Sequence, residues 1–223
     1  MIRFEQVSKR YAGGREALGD VNFHVAAGEM AFLTGHSGAG KTTVLRLIAL
    51  IERPTRGQVI VNGRNLAGVS RRQVAGMRRR IGMVFQDHKL LNDRNVYDNV
   101  ALLLIIAGLD ARETGKRVRA ALDQVGLLGK EKNAPIELST GEQQRVGIAR
   151  AVVTKPPILI ADEPTGNLDP DLSREIMLLF QRLNLVGVSV LIASHDQGLI
   201  SDLGHRVIHL DKGRVVAVEN RHG

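Results

Sequence analysis

Cysteine is absent from the 223 residues of the chain. Disulfide frameworks, zinc sites built on cysteine and thiol catalysis are therefore excluded. Long apolar runs are missing as well, because the longest, residues 100–107, falls far short of the ~20 residues that a membrane-spanning helix needs. Residues 1–5 lack the apolar stretch of a secretory signal. We therefore expect a cytoplasmic chain whose membrane contact, if it has one, comes through a partner.

Aromatic residues make up only 3% of the chain, although its formal net charge is +8. A basic cluster stands out, at Arg71, Arg72, Arg78, Arg79 and Arg80. Nucleic-acid binding is one interpretation of such a charge balance. No aromatic residue is interleaved with the cluster to stack on bases, so we favour a solvated basic face and expect no nucleic-acid partner. A surface held near an anionic cytoplasmic leaflet would show the same bias.

The order of the predicted elements indicates an α/β fold. Hydrophobic residues (43%) and charged residues (24%) are at the levels of an ordinary globular domain. Strand patterns occupy residues 2–7, 21–25, 30–33, 81–85, 158–161 and 188–193, followed by a hairpin of residues 206–210 and 214–218. Helical spacing occupies residues 42–51, 96–106, 112–125 and 139–153. We expect a parallel-sheet core, an N-terminal antiparallel sheet and a helical insertion at about residues 88–155.

A glycine-rich loop fits the pattern G-x-x-x-x-G-K-[ST] at every fixed position. Its residues are Gly35, His36, Ser37, Gly38, Ala39, Gly40, Lys41 and Thr42. Glycines allow the sharp turns that aim several backbone N–H groups at one phosphate, and the helix that follows adds a favourable dipole. Lys41 is placed to reach the β- and γ-phosphates, and the Thr42 hydroxyl to ligate Mg²⁺. The apolar strand before the loop and the amphipathic helix after it favour ATP binding over a chance glycine-rich turn.

Two carboxylates, Asp162 and Glu163, follow the apolar strand at residues 158–161. Parallel sheets bind ligands beyond the carboxyl ends of their strands, which is where this pair would lie. Asp162 is placed to hold Mg²⁺, and Glu163 to polarise the water that attacks the γ-phosphate. A strand that merely ends in acidic residues at the surface is the alternative, and the presence of the glycine-rich loop makes a second half of one site the better interpretation.

Glycine-rich phosphate loops of this kind occur in kinases, GTPases, helicases and transport ATPases. A further segment of the sequence distinguishes between these protein classes. Residues 138–145, with the sequence LSTGEQQR, resemble the signature motif of the ABC ATPases and precede the Asp162 strand as in that family. Other positions resemble further motifs of the family in the expected order: Tyr11 the aromatic that stacks on adenine, Gln86 the Q-loop, residues 167–169 the D-loop and His195 the H-loop. The chain is thus identified as a member of the ABC ATPases.

This resemblance implies a P-loop NTPase fold with a RecA-like parallel-sheet core, an N-terminal antiparallel β subdomain and an inserted α-helical subdomain. Residues 1–87 and 156–223 would form the ATP-binding core, and residues 88–155 the helical subdomain. Two copies would sandwich two ATP molecules, each nucleotide lying between the glycine-rich loop of one copy and the signature segment of the other. A homodimer that forms on ATP binding is therefore expected.

The resemblance also implies the roles of individual residues. The implied catalytic residues are Glu163, His195, Lys41 and Gln86. The implied ATP-binding residues are Tyr11, Gly35, His36, Ser37, Gly38, Ala39, Gly40, Lys41, Thr42 and Thr43, together with Ser139, Gly141 and Glu142 of the second copy. The implied Mg²⁺ ligands are Thr42, Gln86 and Asp162.

Residues 34–42, 85–88, 93–100 and 141–153 resemble the cell-division branch of the family. Its ATPase works with an integral membrane partner of FtsX type to control cell-wall hydrolases, which implies a peripheral position on the cytoplasmic face of the inner membrane. Residues 164–169 are shared with lipoprotein-release and macrolide-efflux transporters, which remain the alternative. A soluble ABC ATPase of nucleic-acid repair or translation is a further alternative, but its usual coiled-coil insertion or second ATPase domain is not visible.

Some of these residues have plainer interpretations. Tyr11 could pack on the N-terminal sheet, Gln86 could be an ordinary loop residue and His195 a structural histidine. Asp169 could be the N-cap of a helix from Leu172 onward, which is compatible with a dimer contact. The signature also departs from the usual LSGGQ, because Thr140 replaces its first glycine and Glu142 its glutamine. We hypothesise that Ser139 and the Gly141 N–H still reach the phosphate, with slower or weaker closure.

Overall fold

The computed structural model describes residues 1–220 and contains two β-sheets, ten strands and seven α-helices within that range. The strands are β1 (Ile2–Arg10), β2 (Glu16–Val25), β3 (Met30–Thr34), β4 (Arg56–Val61), β5 (Arg64–Asn65), β6 (Ile81–Val84), β7 (Ile158–Asp162), β8 (Ser189–Ala193), β9 (Arg206–Asp211) and β10 (Arg214–Glu219). The helices are α1 (Lys41–Ile48), α2 (Arg71–Arg78), α3 (Val96–Ile106), α4 (Ala111–Gln124), α5 (Thr140–Val152), α6 (Pro170–Leu185) and α7 (Gln197–Leu203).

The N-terminal sheet is antiparallel, as the alternating pattern predicts, with the strand order β2-β1-β4-β5. Apolar side chains of its strands alternate with polar ones, so that one face of the sheet is buried and the other solvated. Phe4 and Phe23 occupy paired positions on β1 and β2, and their rings stack with centroids 4.6 Å apart. This sheet covers one side of the larger sheet.

The larger sheet has the order β10-β9-β3-β8-β7-β6, and its strands are parallel except for the β9–β10 hairpin. Its central strands β3, β7 and β8 are buried at every position, which explains their continuous apolar sequences. Alternate residues of β3 serve two cores: Ala31 and Leu33 pack toward α1 and the antiparallel sheet, while Met30 and Phe32 pack toward the helices on the other face. The carboxyl ends of these strands therefore meet at one edge, where the glycine-rich loop begins.

Three helices, α3, α4 and α5, lie between β6 and β7 and form the predicted helical insertion. The parallel core, the antiparallel N-terminal sheet and this insertion confirm the fold class predicted from the sequence. The assignment of residues 88–155 to a separate subdomain stays a prediction. No helix within residues 1–220 is long and apolar enough to cross a bilayer.

Several boundaries differ from the prediction. β1 continues to Arg10 and β2 begins at Glu16, because these strands extend beyond the alternating segments and pair around a short turn. Helix α1 ends at Ile48 instead of residue 51, and Leu50 just beyond it has a φ of 56°, a left-handed conformation that does not continue a helix. Strands β4 and β5 and helices α2 and α7 were not predicted, and the burial of only Met77 in α2 shows how weak its apolar pattern is.

A candidate nucleotide-binding site

The glycine-rich loop runs from the end of β3 to the start of α1 at the carboxyl edge of the parallel sheet. A Cβ on Gly35 (φ 150°) would lie 2.2 Å from the carbonyl oxygen of Leu210, and one on Gly40 (φ 112°) would lie 2.7 Å from Cδ2 of Leu18. Only glycine fits at these two positions. Gly40 is the N-cap of α1 and offers no side chain to its backbone N–H groups. The start of α1 is therefore open to an anion.

A cleft of about 960 Å³ surrounds this loop. Every residue predicted to bind ATP or to act in catalysis within one copy lines it, whereas the predicted Mg²⁺ ligand Asp162 does not: the lining residues are Tyr11, Gly35, His36, Ser37, Gly38, Ala39, Gly40, Lys41, Thr42, Thr43, Gln86, Glu163 and His195. These residues come from widely separated segments of the sequence and are brought together by the strand order. The structure therefore provides one site from the residues that the sequence pattern selects.

Lys41 is buried at the start of α1, with its side chain only 8% exposed. Its Nζ donates to the carbonyl oxygen of Gly35 at 2.7 Å and lies 3.3 Å from Oε1 of Glu163. The ammonium group is thus held beneath the loop, where phosphate oxygens can replace the carboxylate as its partner. Phosphate binding by such a lysine is a point-charge interaction, so the change of partner needs little rearrangement.

Asp162 is the last residue of β7 and accepts a hydrogen bond of 3.3 Å from the Thr42 hydroxyl. Burial raises the pKa of this carboxyl above its ordinary value, while the Thr42 hydrogen bond acts in the opposite direction. Within residues 1–220, no group of three or more His, Cys, Asp or Glu side chains could hold a metal ion. A hydroxyl and a carboxylate this close still fit Mg²⁺, which takes few protein ligands and completes its shell with phosphate oxygens and water.

Glu163 follows Asp162 in a left-handed conformation, with a φ of 46°. Its backbone N–H donates to the carbonyl oxygen of Ala193 at 2.9 Å, which holds the residue against β8. Oε2 lies 2.8 Å from Nδ1 of His195 and accepts from the His195 backbone N–H at 3.3 Å. The strained conformation thus aims a carboxylate into the cleft between a lysine and a histidine. The catalytic roles of Glu163 and His195 stay predictions.

The predicted signature residues Ser139, Gly141 and Glu142 do not line this cleft. Ser139 is the N-cap of α5: its hydroxyl accepts from the Glu142 N–H at 3.3 Å, and the Glu142 carboxylate accepts from the Ser139 N–H at 3.0 Å. Thr140 is exposed, and Gly141 is buried under Leu172, whose Cδ2 would lie 2.2 Å from a Cβ at position 141. This arrangement agrees with a site that acts on the nucleotide of a second copy, which stays a prediction.

The segment after Gln86 is tied to helix α5. His88 and Lys89 have φ values of 54° and 50°, and Arg150 of α5 donates to the carbonyl oxygens of both residues. Nδ1 of His88 also lies 2.5 Å from Oε1 of Gln144, whose side chain is buried in the same helix. Gln86 itself is exposed at the cleft wall. The loop that follows Gln86 is therefore in direct hydrogen-bond contact with the helix that carries the signature segment.

Two of the plainer interpretations can be compared with the structure. Asp169 is the N-cap of α6, since its Oδ1 accepts from the Leu172 N–H at 3.0 Å, as the sequence suggests. Tyr11 lines the cleft and its hydroxyl lies 3.5 Å from Oγ1 of Thr43, while Nζ of Lys9 lies 4.9 Å from its ring centroid. One face of the ring is thus covered by a cation. The adenine-stacking role of Tyr11 stays a prediction.

The cleft also contains residues that sequence reasoning missed. Arg15 enters from the β1–β2 turn and lies beside Gly38, with its Nη2 3.9 Å from the position that a Cβ would take there. Gln197 donates to the Thr34 hydroxyl at 3.0 Å and supports the end of β3. No motif marks either residue. The only available signal for Arg15 was its nearness to Tyr11 in the same turn.

Comparison with known proteins places this geometry in a family. The family model described as ABC transporter matches residues 18–166. The cell division ATP-binding protein FtsE of Escherichia coli is 60% identical over 215 residues, covering 96% of this chain and 97% of that protein. The FtsE of Mycobacterium tuberculosis is 46% identical over 222 residues, covering 99% and 96%. A dimeric ATP-binding cassette in a post-hydrolysis state, bound to ADP and Pi, superposes with a TM-score of 0.92 at 34% identity, with both chains covered completely.

Proposed function

The chain belongs to the ABC transporter family of ATP-binding proteins and is an ATPase, and we propose that it drives a cell-division complex at the inner membrane. The observation that carries the proposal is its near full-length identity to cell division ATP-binding proteins of distant bacteria. In this function ATP serves as a mechanical switch, and the complex controls cell-wall hydrolysis across the membrane.

Within one copy the cleft binds the nucleotide by its phosphates. The open start of α1 and the loop N–H groups receive them, and Lys41 exchanges Glu163 for phosphate oxygens. Thr42 and Asp162, with Gln86 at the cleft wall, would hold Mg²⁺, which would neutralise charge that develops on the phosphates. Glu163 then accepts the proton of the attacking water, while His195 fixes the carboxylate and faces the γ-phosphate.

The second half of the site comes from another copy of the chain. The Ser139 hydroxyl and the Gly141 N–H belong to a segment that lies outside the cleft of its own copy, and in the dimer they bind the γ-phosphate held by the other copy. ATP thereby stabilises the closed homodimer, and hydrolysis releases it. The dimeric state of the structural neighbour bound to ADP and Pi supports this assembly.

The partner is an integral membrane protein of FtsX type, which docks beside Gln86 and the helical insertion. A partner that docks there would act on the signature segment through the hydrogen bonds that join α5 to His88 and Lys89. The ATPase is then peripheral on the cytoplasmic face of the inner membrane. The ATPase subunit of a lipoprotein-release or macrolide-efflux transporter is the second candidate, favoured only by the motif at residues 164–169 that those transporters share.

Deletion of the gene followed by complementation tests the proposal. We expect a division defect with filamentous cells, restored by the wild-type chain and not by Glu163→Gln. Purification of the tagged chain from detergent-solubilised membranes should recover an integral membrane protein in stoichiometric amount. Normal division combined with a lipoprotein-sorting or drug-sensitivity defect would instead support the second candidate.

A further inference from the structure

Residues 53–86 contain eight arginines and no acidic residue or lysine. Two of these arginines serve the fold. Arg53 donates to the carbonyl oxygens of Leu66, Ala67 and Val69, and Arg78 donates to those of Ala49 and Leu50 beyond the end of α1. Such bonds satisfy carbonyl groups that helix and turn ends leave free. Of the other six, Arg56 lies on β4 and Arg64 on β5, and four cluster at α2.

These four, Arg71, Arg72, Arg79 and Arg80, lie in α2 or directly after its last residue. Val74 and Met77 pack against the core, and at 100° per residue Arg72 and the C-cap residue Arg79 lie opposite to them, while Arg71 begins the helix and Arg80 follows the C-cap. We call Arg71, Arg72, Arg79 and Arg80 the basic face of α2. All four are exposed. Ala75 and Gly76, which lie between them in the helix, have no large side chain.

The basic face has no acidic partner in the described part of the chain: none of its four arginines forms an ion pair within 4.0 Å there. Acidic residues do pair with arginines on other helices, as Glu113 does with Arg117. Four like charges on and beside one short helix repel one another, which lowers stability unless an anion compensates them. The arrangement therefore suits an external anionic surface.

The position of α2 keeps this face free when the nucleotide site closes. Arg78 binds the carbonyl groups beyond the C-terminal end of α1, whereas the N-terminal end of α1 carries the phosphate loop. The Thr154 hydroxyl, at the end of α5, donates to the Arg79 carbonyl oxygen at 3.3 Å. α2 thus lies near the sheet edge opposite the cleft, and a dimer closed over nucleotide would expose two basic faces.

We propose that the basic face of α2 binds the anionic surface of a phospholipid bilayer directly, alongside the contact made through the membrane partner. Residues 53–84 contain no aromatic residue. Guanidinium groups in such a segment suit many diffuse phosphate headgroups, because the attraction needs charge and access but no base stacking. The choice of a bilayer over a nucleic acid rests on the proposed membrane-associated function. The basic face itself is a feature of this chain whatever that function is.

Vesicle sedimentation of the purified full-length chain tests the proposal. Vesicles of phosphatidylcholine with about 30% phosphatidylglycerol should bind it at low ionic strength, and pure phosphatidylcholine should not, because only the first carries negative surface charge. Binding should weaken steeply with salt. The variant with all four arginines of the basic face changed to glutamine should bind at least about tenfold more weakly, since each cation near such a surface contributes several-fold.

A matched control removes four exposed basic residues from other elements, by changing Arg112, Lys116, Lys132 and Arg182 to glutamine. Both variants lower the net charge of +8 by four, so they differ only in where the charge is lost. The control should keep its vesicle binding, and both variants should keep the wild-type ATPase rate. Equal loss of binding in the two variants, unchanged binding in the basic-face variant, or preference for duplex DNA over anionic vesicles in competition would each overturn the proposal.

The result can be separated from the proposed cell-division function. The vesicle assay contains no membrane partner, whereas complementation of the division defect and recovery of that partner do not depend on lipid composition. A chain that supports division but fails to bind anionic vesicles would refute the lipid contact alone. A chain that binds the vesicles but leaves a division defect unrestored would keep the lipid contact and refute the cell-division role.

Discussion

Replacing Glu163 by glutamine tests both the catalytic assignment and the exchange of partners at Lys41. Oε1 of Glu163 lies 3.3 Å from Nζ of Lys41, and the two side chains are 13% and 8% exposed. At an effective dielectric constant of about 20, unit charges at that distance attract by roughly 5 kcal/mol before desolvation is subtracted. Since Lys41 keeps its bond to the Gly35 carbonyl, we expect the free energy of unfolding without nucleotide to fall by about 1–3 kcal/mol.

Nucleotide should reverse this loss. In the wild type, ATP must displace the Glu163 carboxylate from Lys41, whereas the glutamine amide competes far less for the ammonium group. Mg-ATP should therefore raise the unfolding temperature more in Glu163→Gln than in the wild type. Loss of the general base should lower the hydrolysis rate by about 10²-fold or more. With binding intact and hydrolysis blocked, the variant should accumulate as an ATP-bound dimer.

Three measurements decide the outcome: thermal unfolding with and without Mg-ATP, the ATPase rate and size-exclusion chromatography with ATP. Glu113→Gln is the control, because it makes the same chemical change in an ion pair on α4 outside the cleft, and it should behave as wild type in all three. Hydrolysis by Glu163→Gln at the wild-type rate would refute the assignment of the base. Equal stabilisation of variant and wild type by Mg-ATP would refute the competition at Lys41.

Three further changes have defined outcomes. Burial holds the pKa of Asp162 above its ordinary 3.8. Because the protonated carboxyl cannot ligate a cation, the apparent affinity for Mg²⁺, measured by titrating the ATPase with Mg²⁺, should fall as the pH falls through that raised pKa. The same pH dependence of the Mg²⁺ affinity in Asp162→Asn would contradict this. Gly141→Ala should lower the free energy of unfolding by about 1–3 kcal/mol in thermal melts, because the new Cβ would lie 2.2 Å from Cδ2 of Leu172. Adding Leu172→Ala to this variant should recover part of the lost stability, and no recovery would show that this contact is not the cause. Thr140→Gly should retain or increase the ATPase rate, and complete loss of activity would refute the hypothesis that Ser139 and the Gly141 N–H suffice.

Residues of the cleft that belong to short local patterns could be predicted from the sequence. The glycine-rich loop and the Asp162–Glu163 pair each combine an apolar strand with the groups that follow it, and parallel strands end at one edge. Arg15 could not be predicted in this way, because its place beside Gly38 depends on the turn between β1 and β2. The left-handed conformation of Glu163 was equally hidden, since nothing in its residue type favours a positive φ.

The fold shows the same division between local and non-local causes. The central strands were predictable because they are buried on both faces and their sequences are continuously apolar. Strand β4 was not, since three of its six residues, Arg56, Gly57 and Gln58, are exposed, and its pairing with β1 is a long-range contact. Helix α2 buries only Met77 and owes its place to capping by Ser70 and Gln73 and to the bonds of Arg78 beyond the end of α1. Such elements are stabilised by partners that the local sequence does not reveal.

In the proposed composite site, helices α1 and α5 both direct their N-terminal ends at phosphate, but their ends are capped differently. Helix α1 begins at Gly40 with no side chain over its N–H groups, so it is open to phosphate. Helix α5 begins under a capping box whose acidic member, Glu142, would by itself repel a phosphate of the second copy. The hydrogen bond from Lys130 holds the pKa of Glu142 below its usual value, and the same ion pair neutralises the carboxylate. Because the Ser139 hydroxyl only accepts a bond within the box, its own proton stays free to donate to phosphate. Glu142 can therefore replace the glutamine of the usual signature without closing the site to an anion.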